Sequence, residues 1–279
     1  MLATALPAGA ITGNYVEDFE HPFVGLVVFY DEAGEFSHRC SGSLLTPTVF
    51  LTAGHCTDGA TTARVYFQQD AGANYEPETE VDPVSGYPET CARGTLGETC
   101  ATSNELYNYG FKDFEGFPNT RDVGLVILDQ PIELSEYGAL AAAGSLDRLA
   151  TRRGQQDLTF TSSGHGLTLT NPVKTVSFRE RLMAKSRLTN LRSTLTGGYN
   201  LQTNGNGSGR GGTCSGDSGG PVFYGGFESN IIVAVTSFGL NSYCRGVDFS
   251  YRTDRQAVID WILATVPESE ADAIQIVRI

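Results

Sequence analysis

The chain has 279 residues, of which 40% are hydrophobic and 18% are charged; this composition supports a sizeable core and excludes a wholly disordered chain. Acidic residues outnumber basic ones 32 to 19 and the net charge is −13, so phosphate backbones and anionic lipids would repel the protein. No stretch approaches the roughly 18 uninterrupted apolar residues of a membrane-spanning helix.

The first ten residues resemble the end of a secretory signal. The small residues Ala8 and Ala10 fit the rule for signal cleavage, although the basic start and most of the apolar core of a signal are missing. A disordered tail is the alternative. The chain has six cysteines and no C-x-x-C pair, so we expect disulfides and an oxidising, extracellular compartment.

Short apolar runs separated by Gly, Pro, Asn and Asp recur along the chain and predict an all-β sandwich or barrel. The runs are 24–30, 49–52, 65–68, 123–128, 158–161 and 231–238. Helical periodicity is convincing only near the end. We expect Asp254 to cap this helix and Pro267 to end it. The residues that share one face are Val258, Trp261, Ile262 and Thr265.

Three segments stand apart from this pattern. Residues 70–100 are acidic, and we expect a solvated surface loop there, with calcium binding by its carboxylates as the alternative. Residues 197–212 contain seven glycines and three asparagines, which predicts a mobile or unusually turned connection. Residues 267–279 continue beyond the helix, and the sequence assigns them no role.

The segment Gly-Thr-Cys-Ser-Gly-Asp-Ser-Gly-Gly-Pro at 212–221 points most directly to chemistry. A serine such as Ser218 is a poor nucleophile at neutral pH and needs a general base within hydrogen-bond reach. Flanking glycines allow a tight turn and a close approach of substrate to backbone N–H groups. The α/β-hydrolases share this pattern but place their histidine after the serine. The last histidine here is His165, which excludes that fold.

Candidate partners for Ser218 lie earlier in the chain. His55 belongs to the segment Leu-Thr-Ala-Gly-His-Cys, and Asp122 directly precedes the apolar run 123–128. A desolvated carboxylate needs a hydrogen-bond donor, and a histidine N–H is a suitable one. The subtilisin order would instead use an Asp ahead of the histidine, such as Asp18 or Asp31, but neither lies in a motif.

These segments, in the order His55, Asp122, Ser218, resemble the trypsin/chymotrypsin-like serine peptidases. The hallmarks of that family are T-A-x-H-C, an Asp before an apolar strand, and G-D-S-G-G-P. The resemblance covers about residues 11–266 and suggests a secreted, bacterial-type member. It implies two Greek-key six-stranded β-barrels with a C-terminal α-helix. The implied regions are 1–10 (signal remnant or propeptide), 11–135 (first barrel, with His55 and Asp122), 136–266 (second barrel and helix, with Ser218) and 267–279 (extension).

The resemblance also implies a role for each site residue. Ser218 is the nucleophile, His55 is the general base and then the acid, and Asp122 orients His55. The backbone N–H groups of Gly216 and Ser218 form the oxyanion hole. Among the other histidines, we expect His165 to be a structural loop residue.

Two further features follow from the resemblance. It implies the disulfides Cys40–Cys56 and Cys214–Cys244, whereas a bond between Cys91 and Cys100 rests on their proximity alone. It also implies that removing residues 1–10 frees an amine on Ile11, which then pairs with Asp217. The segment Ile-Thr-Gly-Asn that follows Ala10 resembles the mature start of the family, I-V-G-G.

The sequence leaves the P1 preference of the specificity pocket open between alternatives. Gly212, followed by Thr213, stands where trypsin-like members carry an Asp that binds basic side chains, and Gly239 leaves the pocket entrance open. The strand Ser237, Phe238, Gly239 would pair with the substrate backbone. Without that Asp an apolar P1 residue is favoured. If Asp248 points inward, basic or mixed P1 residues become acceptable; if Phe249 does, the pocket is shallow.

Together these features predict a secreted serine endopeptidase acting on protein or peptide substrates. We expect a monomer that is open to protein inhibitors, binds no nucleic acid or membrane, and uses no metal or organic cofactor. The alternatives are a catalytically inactive, protease-like binding protein and an esterase with the same triad. His21 and His38 are expected to be exposed.

Overall fold

The computed structural model describes residues 11–71, 84, 86–87, 100–151, 158–177 and 179–279. The expected signal remnant at 1–10, the acidic side chains considered for calcium binding, and Cys91 lie outside the described residues.

Strands dominate the described residues, with few helices. The strands are β1 (Thr12–Gly13), β2 (Val16–Glu17), β3 (Val24–Tyr30), β4 (Phe36–Leu44), β5 (Val49–Thr52), β6 (Thr62–Tyr66), β7 (Cys100–Ser103), β8 (Glu105–Asn108), β9 (Gly124–Ile127), β10 (Ala139–Ala141), β11 (Thr159–Gly164), β12 (Leu167–Thr170), β13 (Thr175–Ser177), β14 (Leu182–Asn190), β15 (Asn200–Asn204), β16 (Gly211–Gly212), β17 (Pro221–Tyr224), β18 (Ile231–Gly239), β19 (Val247–Arg252) and β20 (Ile276–Val277). The helices are α1 (Gly54–Thr57), α2 (Gln256–Thr265) and α3 (Glu268–Ala273), with a 3₁₀ turn at Asp147–Thr151.

The first barrel is an antiparallel sheet with the strand order β7-β6-β3-β4-β5-β9-β8. All seven residues of β3 are buried, as its uninterrupted apolar sequence predicts. Strand β5 pairs with β9, with Thr52 opposite Gly124. This register brings the segment after β5, which contains His55, next to the segment before β9, which contains Asp122.

The second barrel is closed by six strands in the order β17-β11-β14-β15-β19-β18, because β17 also pairs with β18. Strands β10 and β20 continue this sheet beyond β18, and β2 pairs with β14. The predicted fold of two β-barrels followed by a C-terminal helix is therefore confirmed. The sheets hold seven and nine strands, because short edge strands add to the six expected in each barrel.

The C-terminal helix begins differently from the prediction. Asp254 does not cap α2, because its carboxylate pairs with Arg252 at 2.8 Å and accepts the N–H of Leu146 at 2.7 Å. Helix α2 buries Val258 and Ile262 in the same apolar cluster as the core of the first barrel.

The extension beyond α2 is part of the folded protein. It forms α3 and then β20, which pairs in parallel with β10, Ile276 lying opposite Leu140. In the part of the chain that the structure describes, every helix is too short or too polar to cross a bilayer.

Candidate active site

His55 and Asp122 meet at the edge of the first barrel. The carboxylate of Asp122 accepts the backbone N–H of His55 at 2.7 Å, and its two oxygens lie 2.9 and 3.1 Å from His55 Nδ1. The hydroxyl of Ser237 donates to the same carboxylate. Asp122 is completely buried, and these donors satisfy its charge. They also fix the imidazole with Nε2 directed away from the carboxylate.

The pairing shifts the titration of both groups. Burial of the His55 ring lowers its pKa, but the adjacent Asp122 carboxylate outweighs burial, so the pKa of His55 is raised above its ordinary value. Burial raises the pKa of Asp122, yet His55 and the Ser237 hydroxyl lower it by more, and the net pKa lies below the ordinary value. At neutral pH Asp122 is therefore a carboxylate, and His55 holds a proton more firmly than a free imidazole does.

Ser218 is anchored against the first barrel by its backbone. Its carbonyl accepts the N–H of Ser41 at 2.8 Å. Gly219, which follows, has a φ of 77°, and a Cβ there would lie 2.1 Å from Thr52 Oγ1. Only glycine permits this contact, which places the serine loop against the segment that leads into His55.

Ser218 and Ser237 both line a cavity of about 400 Å³. Within the described residues, no hydrogen bond joins Ser218 Oγ to His55 Nε2. Such bonds are often long without substrate and tighten in the complex. Ser237 thus connects the Asp122 carboxylate to the cavity that Ser218 lines, and the contact still to be made is the one between Ser218 Oγ and His55 Nε2.

The backbone N–H groups on either side of Asp217 in the serine loop have no acceptor among the described residues. The N–H groups of Asp217 and Gly219 donate to backbone carbonyls, whereas those of Gly216 and Ser218 donate to none of the described residues. Gly216 has a φ of 94°, and the hydroxyl of Ser41 donates to its carbonyl at 2.8 Å. This arrangement leaves two fixed donors that suit a negatively charged oxygen.

Asp217 is a buried carboxyl group that lacks a cationic partner within hydrogen-bond distance among the described residues. It accepts backbone N–H groups from Gly166 at 2.8 Å and Cys214 at 2.9 Å. Burial nevertheless raises the pKa of Asp217 to about 7. Ile11, its expected partner, is fully buried, but its nitrogen is still joined to Ala10 in a neutral peptide bond. The φ of Ile11 is 65°, a conformation that strains a β-branched residue.

Two of the expected disulfides brace this region. Cys40 bonds to Cys56, the neighbour of His55, and Cys214 bonds to Cys244 across the pocket. Cys100 is also disulfide-bonded. Cys40 and Cys56 lie within 4.8 Å of a His55 ring nitrogen, but a disulfide offers no thiolate to a metal.

The Asp248 carboxylate lies between Gly212 and Gly239, and of these two glycines it is Gly239 that lines the cavity containing Ser218. Its carboxylate accepts the N–H of Thr213 at 3.0 Å. A Cβ on Gly212 would lie 2.7 Å from Asp248 Oδ2, and one on Gly239 would lie 3.7 Å from Oδ1. Burial raises the pKa of Asp248 to about 6. The ring of Phe249 instead stacks on the ring of Phe238 in β18, with 4.6 Å between the ring centres. Of the two residues expected to reach the pocket, Asp248 is therefore the one that faces the glycines.

Sequence reasoning missed a row of phenylalanines beside the cavity. The rings of Phe114 and Phe117 meet the ring of Phe238 edge-on at 5.3 and 6.1 Å, and they are 40% and 42% exposed. Phe111 lies between Phe114 and the His55 ring. Phe111, Phe114 and Phe117 follow one another at intervals of three residues, and this spacing could have predicted one continuous aromatic surface.

His165 is a buried loop residue. Its Nδ1 lies 2.6 Å from the carbonyl of Arg179, and its backbone N–H donates to the hydroxyl of Ser41. Burial, helped by the charge of Arg181, lowers the pKa of His165 to about 3. The ring is therefore neutral and supports the loop next to Asp217.

The expectation that His21 and His38 are exposed is wrong. His21 is 1% exposed, because Asp18 at the end of the N-terminal segment pairs with it, both carboxylate oxygens lying 2.9 Å from Nδ1. His38 is half-buried, and its Nε2 lies 2.8 Å from the carbonyl of Cys56. Asp18, considered as a catalytic partner in the subtilisin order, is thus committed to His21.

Comparison with known proteins agrees with this geometry. Residues 11–262 match the protein family described as Trypsin. Brachyurin from Leptuca pugilator is 29% identical over 227 residues, which cover 80% of this chain and 85% of that protein. Serine protease 7 from Drosophila melanogaster is 28% identical over 270 residues, which cover 91% of this chain and 64% of that protein.

The likeness extends to solved structures. The structure of HL collagenase matches with a TM-score of 0.61 at 18% identity and covers 91% of this chain and 97% of that one, a likeness of fold. The curated relatives come from arthropods and a mammal, so the expectation of a bacterial-type member is not supported.

Proposed function

Because the chain belongs to the trypsin family, we propose that it is a serine endopeptidase that cleaves peptide bonds through an acyl-enzyme. One observation carries the proposal: a buried Asp122 orients His55 beside a cavity that Ser218 lines. Asp122 keeps His55 Nδ1 protonated and leaves Nε2 as the base. A chain that had become a binding protein would have no need to keep this pairing.

The reaction follows from these positions. Ser218 Oγ attacks the peptide carbonyl while its proton passes to His55 Nε2, and the carbonyl oxygen takes the negative charge. The free N–H groups of Gly216 and Ser218 stabilise that oxyanion. His55 then gives its proton to the leaving amine, and an acyl group remains on Ser218. Water, deprotonated by His55, releases the acid and restores both side chains.

Activation is the second part of the proposal. Asp217 lies between the two oxyanion donors, and its buried carboxyl has a pKa of about 7, so a cation beside it would stabilise its charged form. Removing residues 1–10 in the secretory pathway would supply the Ile11 amine as that cation. Cleavage would also release the strain that a φ of 65° places on Ile11.

The pocket favours a mixed specificity at P1. Gly212 removes the charge usual at the pocket floor in trypsin-like members, but the Asp248 carboxylate lies against Gly212 and Gly239 and offers a negative charge above its pKa of about 6. We therefore replace the apolar preference expected from Gly212 alone with acceptance of both basic and apolar side chains. The identity of the P1 side chain does not alter the reaction at Ser218.

Residues on the acyl side of P1 would meet the aromatic row. A substrate backbone that pairs along Ser237–Gly239 passes Phe238, and its side chains then reach the exposed rings of Phe114 and Phe117. Exposed aromatic rings grouped at a cavity favour apolar contacts. We expect apolar residues to be preferred at these positions.

A peptide library tests the proposal. The chain starting at Ile11 is incubated with the library and with matched esters, and Ser218→Ala, which differs by one oxygen atom, is the control. We expect cleavage after Arg, Lys, Leu and Phe by the unmodified protein alone. Hydrolysis of esters without peptides would indicate an esterase, and a folded protein that cleaves neither substrate would be a binding protein.

A further inference from the structure

A second cavity, of about 410 Å³, lies beside the specificity pocket and takes no part in the proposed reaction. Four separate segments form its walls, and they are residues 12–14, 168–169, 205–212 and 243–246. Cys244 lines both this cavity and the one that contains Ser218. The glycine-rich segment, which the catalytic site leaves unexplained, thus contributes a wall here.

The lining of the second cavity is basic and carries unused donors. The described residues of this lining include Arg210 and Arg245 and no Asp or Glu, in a protein whose acids outnumber its bases 32 to 19. Among the described residues, neither guanidinium has an ion-pair or side-chain hydrogen-bond partner. The Arg210 guanidinium lies over Gly207, 3.6 Å from the Cβ position there. The hydroxyl of Tyr243 likewise makes no hydrogen bond to the described part of the chain.

The acidic side chain that lies against Gly212 already accepts a backbone hydrogen bond. Asp248 lies behind Gly212, and its carboxylate is engaged by the N–H of Thr213. Two guanidinium groups thus line one cavity whose described lining holds no carboxylate, and an anion bound between them would reduce the repulsion between their charges.

The N-terminal segment is an essential wall of this cavity. The hydroxyl of Thr12 donates to the carbonyl of Cys244 at 3.0 Å. The backbone N–H of Asn14 donates to the carbonyl of Arg210 at 2.9 Å, and its side chain donates to Gly207 at 3.2 Å. The cavity therefore exists only while residues 12–14 are in place, and a ligand inside it would favour that state.

We propose that this cavity binds a small inorganic oxyanion, phosphate or sulfate, through Arg210 and Arg245. The bound anion holds residues 12–14 in place and thereby raises peptidase activity. The binding site stands on the cavity alone, whereas the effect on activity rests on the proposed function.

Binding is measured on Ser218→Ala starting at Ile11, so that catalysis is not required. Phosphate and sulfate are titrated separately by calorimetry at constant ionic strength, and we expect one saturable site for at least one of them. Arg210→Gln and Arg245→Gln should each weaken the affinity by about tenfold, the loss expected for one charge-assisted contact. Arg278→Gln, which removes an exposed arginine on β20's C-terminal side, is the control with the same charge change.

Activity is then measured on the protein with Ser218 intact. Titrating the anion should raise kcat/KM for a neutral peptide to a plateau, and Arg210→Gln should shift the midpoint of this rise to about tenfold higher anion concentration. No saturable binding, or equal affinity in Arg210→Gln and Arg278→Gln, overturns the site. Binding with an unchanged kcat/KM overturns the activating effect. Binding by a protein that cleaves no peptide would refute the proposed function and leave the site standing.

Discussion

Two buried Asp–His pairs in this protein have nearly the same local geometry. In each, the carboxylate accepts the backbone N–H of its histidine, lies 2.9 Å from Nδ1 and accepts a serine hydroxyl. One pair lies beside the cavity that Ser218 lines, and the other belongs to the N-terminal segment of the chain. The two sets are Asp122 with His55 and Ser237, and Asp18 with His21 and Ser163.

The pairs differ at the second ring nitrogen. The His55 side chain is 25% exposed, and its Nε2 has no hydrogen-bond partner among the described residues. The His21 side chain is 2% exposed, its Nε2 lies 3.2 Å from the carbonyl of Ser229, and its ring stacks on Phe223 at 4.3 Å. A general base needs a free nitrogen within reach of the nucleophile. The carboxylate orients the ring in both pairs, and the free Nε2 distinguishes the pair that we propose as catalytic.

Replacing the two aspartates separately should produce the largest contrast. Asp122→Asn removes the charge that orients His55, and we expect kcat to fall about 10⁴-fold, the loss typical of this kind of triad. Asp18→Asn should lower the free energy of unfolding by about 1–3 kcal/mol, since it breaks a buried hydrogen-bonded pair, and leave kcat unchanged. Peptide kinetics and denaturant unfolding measure the two effects.

The variants control for each other, because both replace a buried carboxylate with an amide of the same shape. Rates are compared per folded molecule. If Asp18→Asn loses as much activity as Asp122→Asn, the second ring nitrogen does not separate the two pairs.

Processing at Ile11 should give the next largest effect. The full chain is expected to be about 10²- to 10³-fold less active than the chain starting at Ile11, the size of losing one oxyanion donor. The reason is that Asp217 gains a cation only when the amine is free. Kinetics on both forms measure this ratio, and N-terminal sequencing of the active secreted protein should read Ile-Thr-Gly-Asn. Equal activity of the two forms, or a different start, would exclude this activation route.

Asp248→Asn should change substrate selectivity and leave the reaction at His55 and Ser218 unchanged. Above the Asp248 pKa of about 6, the ratio of kcat/KM for Arg over Leu at P1 should fall about tenfold to hundredfold, the cost of one charge-assisted contact. Matched Arg and Leu peptides measure the ratio. An unchanged ratio would mean that the carboxylate does not meet the substrate.

The pH dependence gives the smallest effect and tests His55 as the general base. His55 must be neutral to act, and its pKa is raised, so kcat/KM should be low in acid and rise with a midpoint above about 6.5, the ordinary value for histidine. In Asp122→Asn only burial remains, so the residual activity should show a lower midpoint. A flat profile from pH 5 to 8 would argue against His55 as the base.

Local sequence patterns determined much of this fold. The predicted apolar runs agree with β3, β5, β9 and β18 to within one residue at each end, because these strands are buried and almost uninterrupted. Strands β4 and β14 were not predicted, since their polar residues hide any apolar run. Their pairing depends on distant partners, such as Leu26 opposite Ser41, which no local pattern reveals.

The candidate site likewise has residues that the sequence predicts and contacts that it does not. The sequence points to His55, Asp122 and Ser218 because each lies in a recognisable motif, and the structure pairs His55 with Asp122. The burial of His21 was not predictable, because Ser163 and Phe223, which enclose its pair with Asp18, are far away in sequence. Likewise, whether the Asp248 side chain faces the pocket depends on the register of β19, to which its sequence gives no clue.

The most direct test of the central claim is covalent labelling of Ser218 by a fluorophosphonate. The chain starting at Ile11 is treated with the reagent, and the modified residue is identified by peptide mass spectrometry. We predict one label per molecule, on Ser218, at a rate that His55→Ala reduces by orders of magnitude and Asp18→Asn leaves unchanged. A folded protein that stays unlabelled, or one that His55→Ala labels just as fast, would contradict the claim that the free Nε2 of His55 activates Ser218.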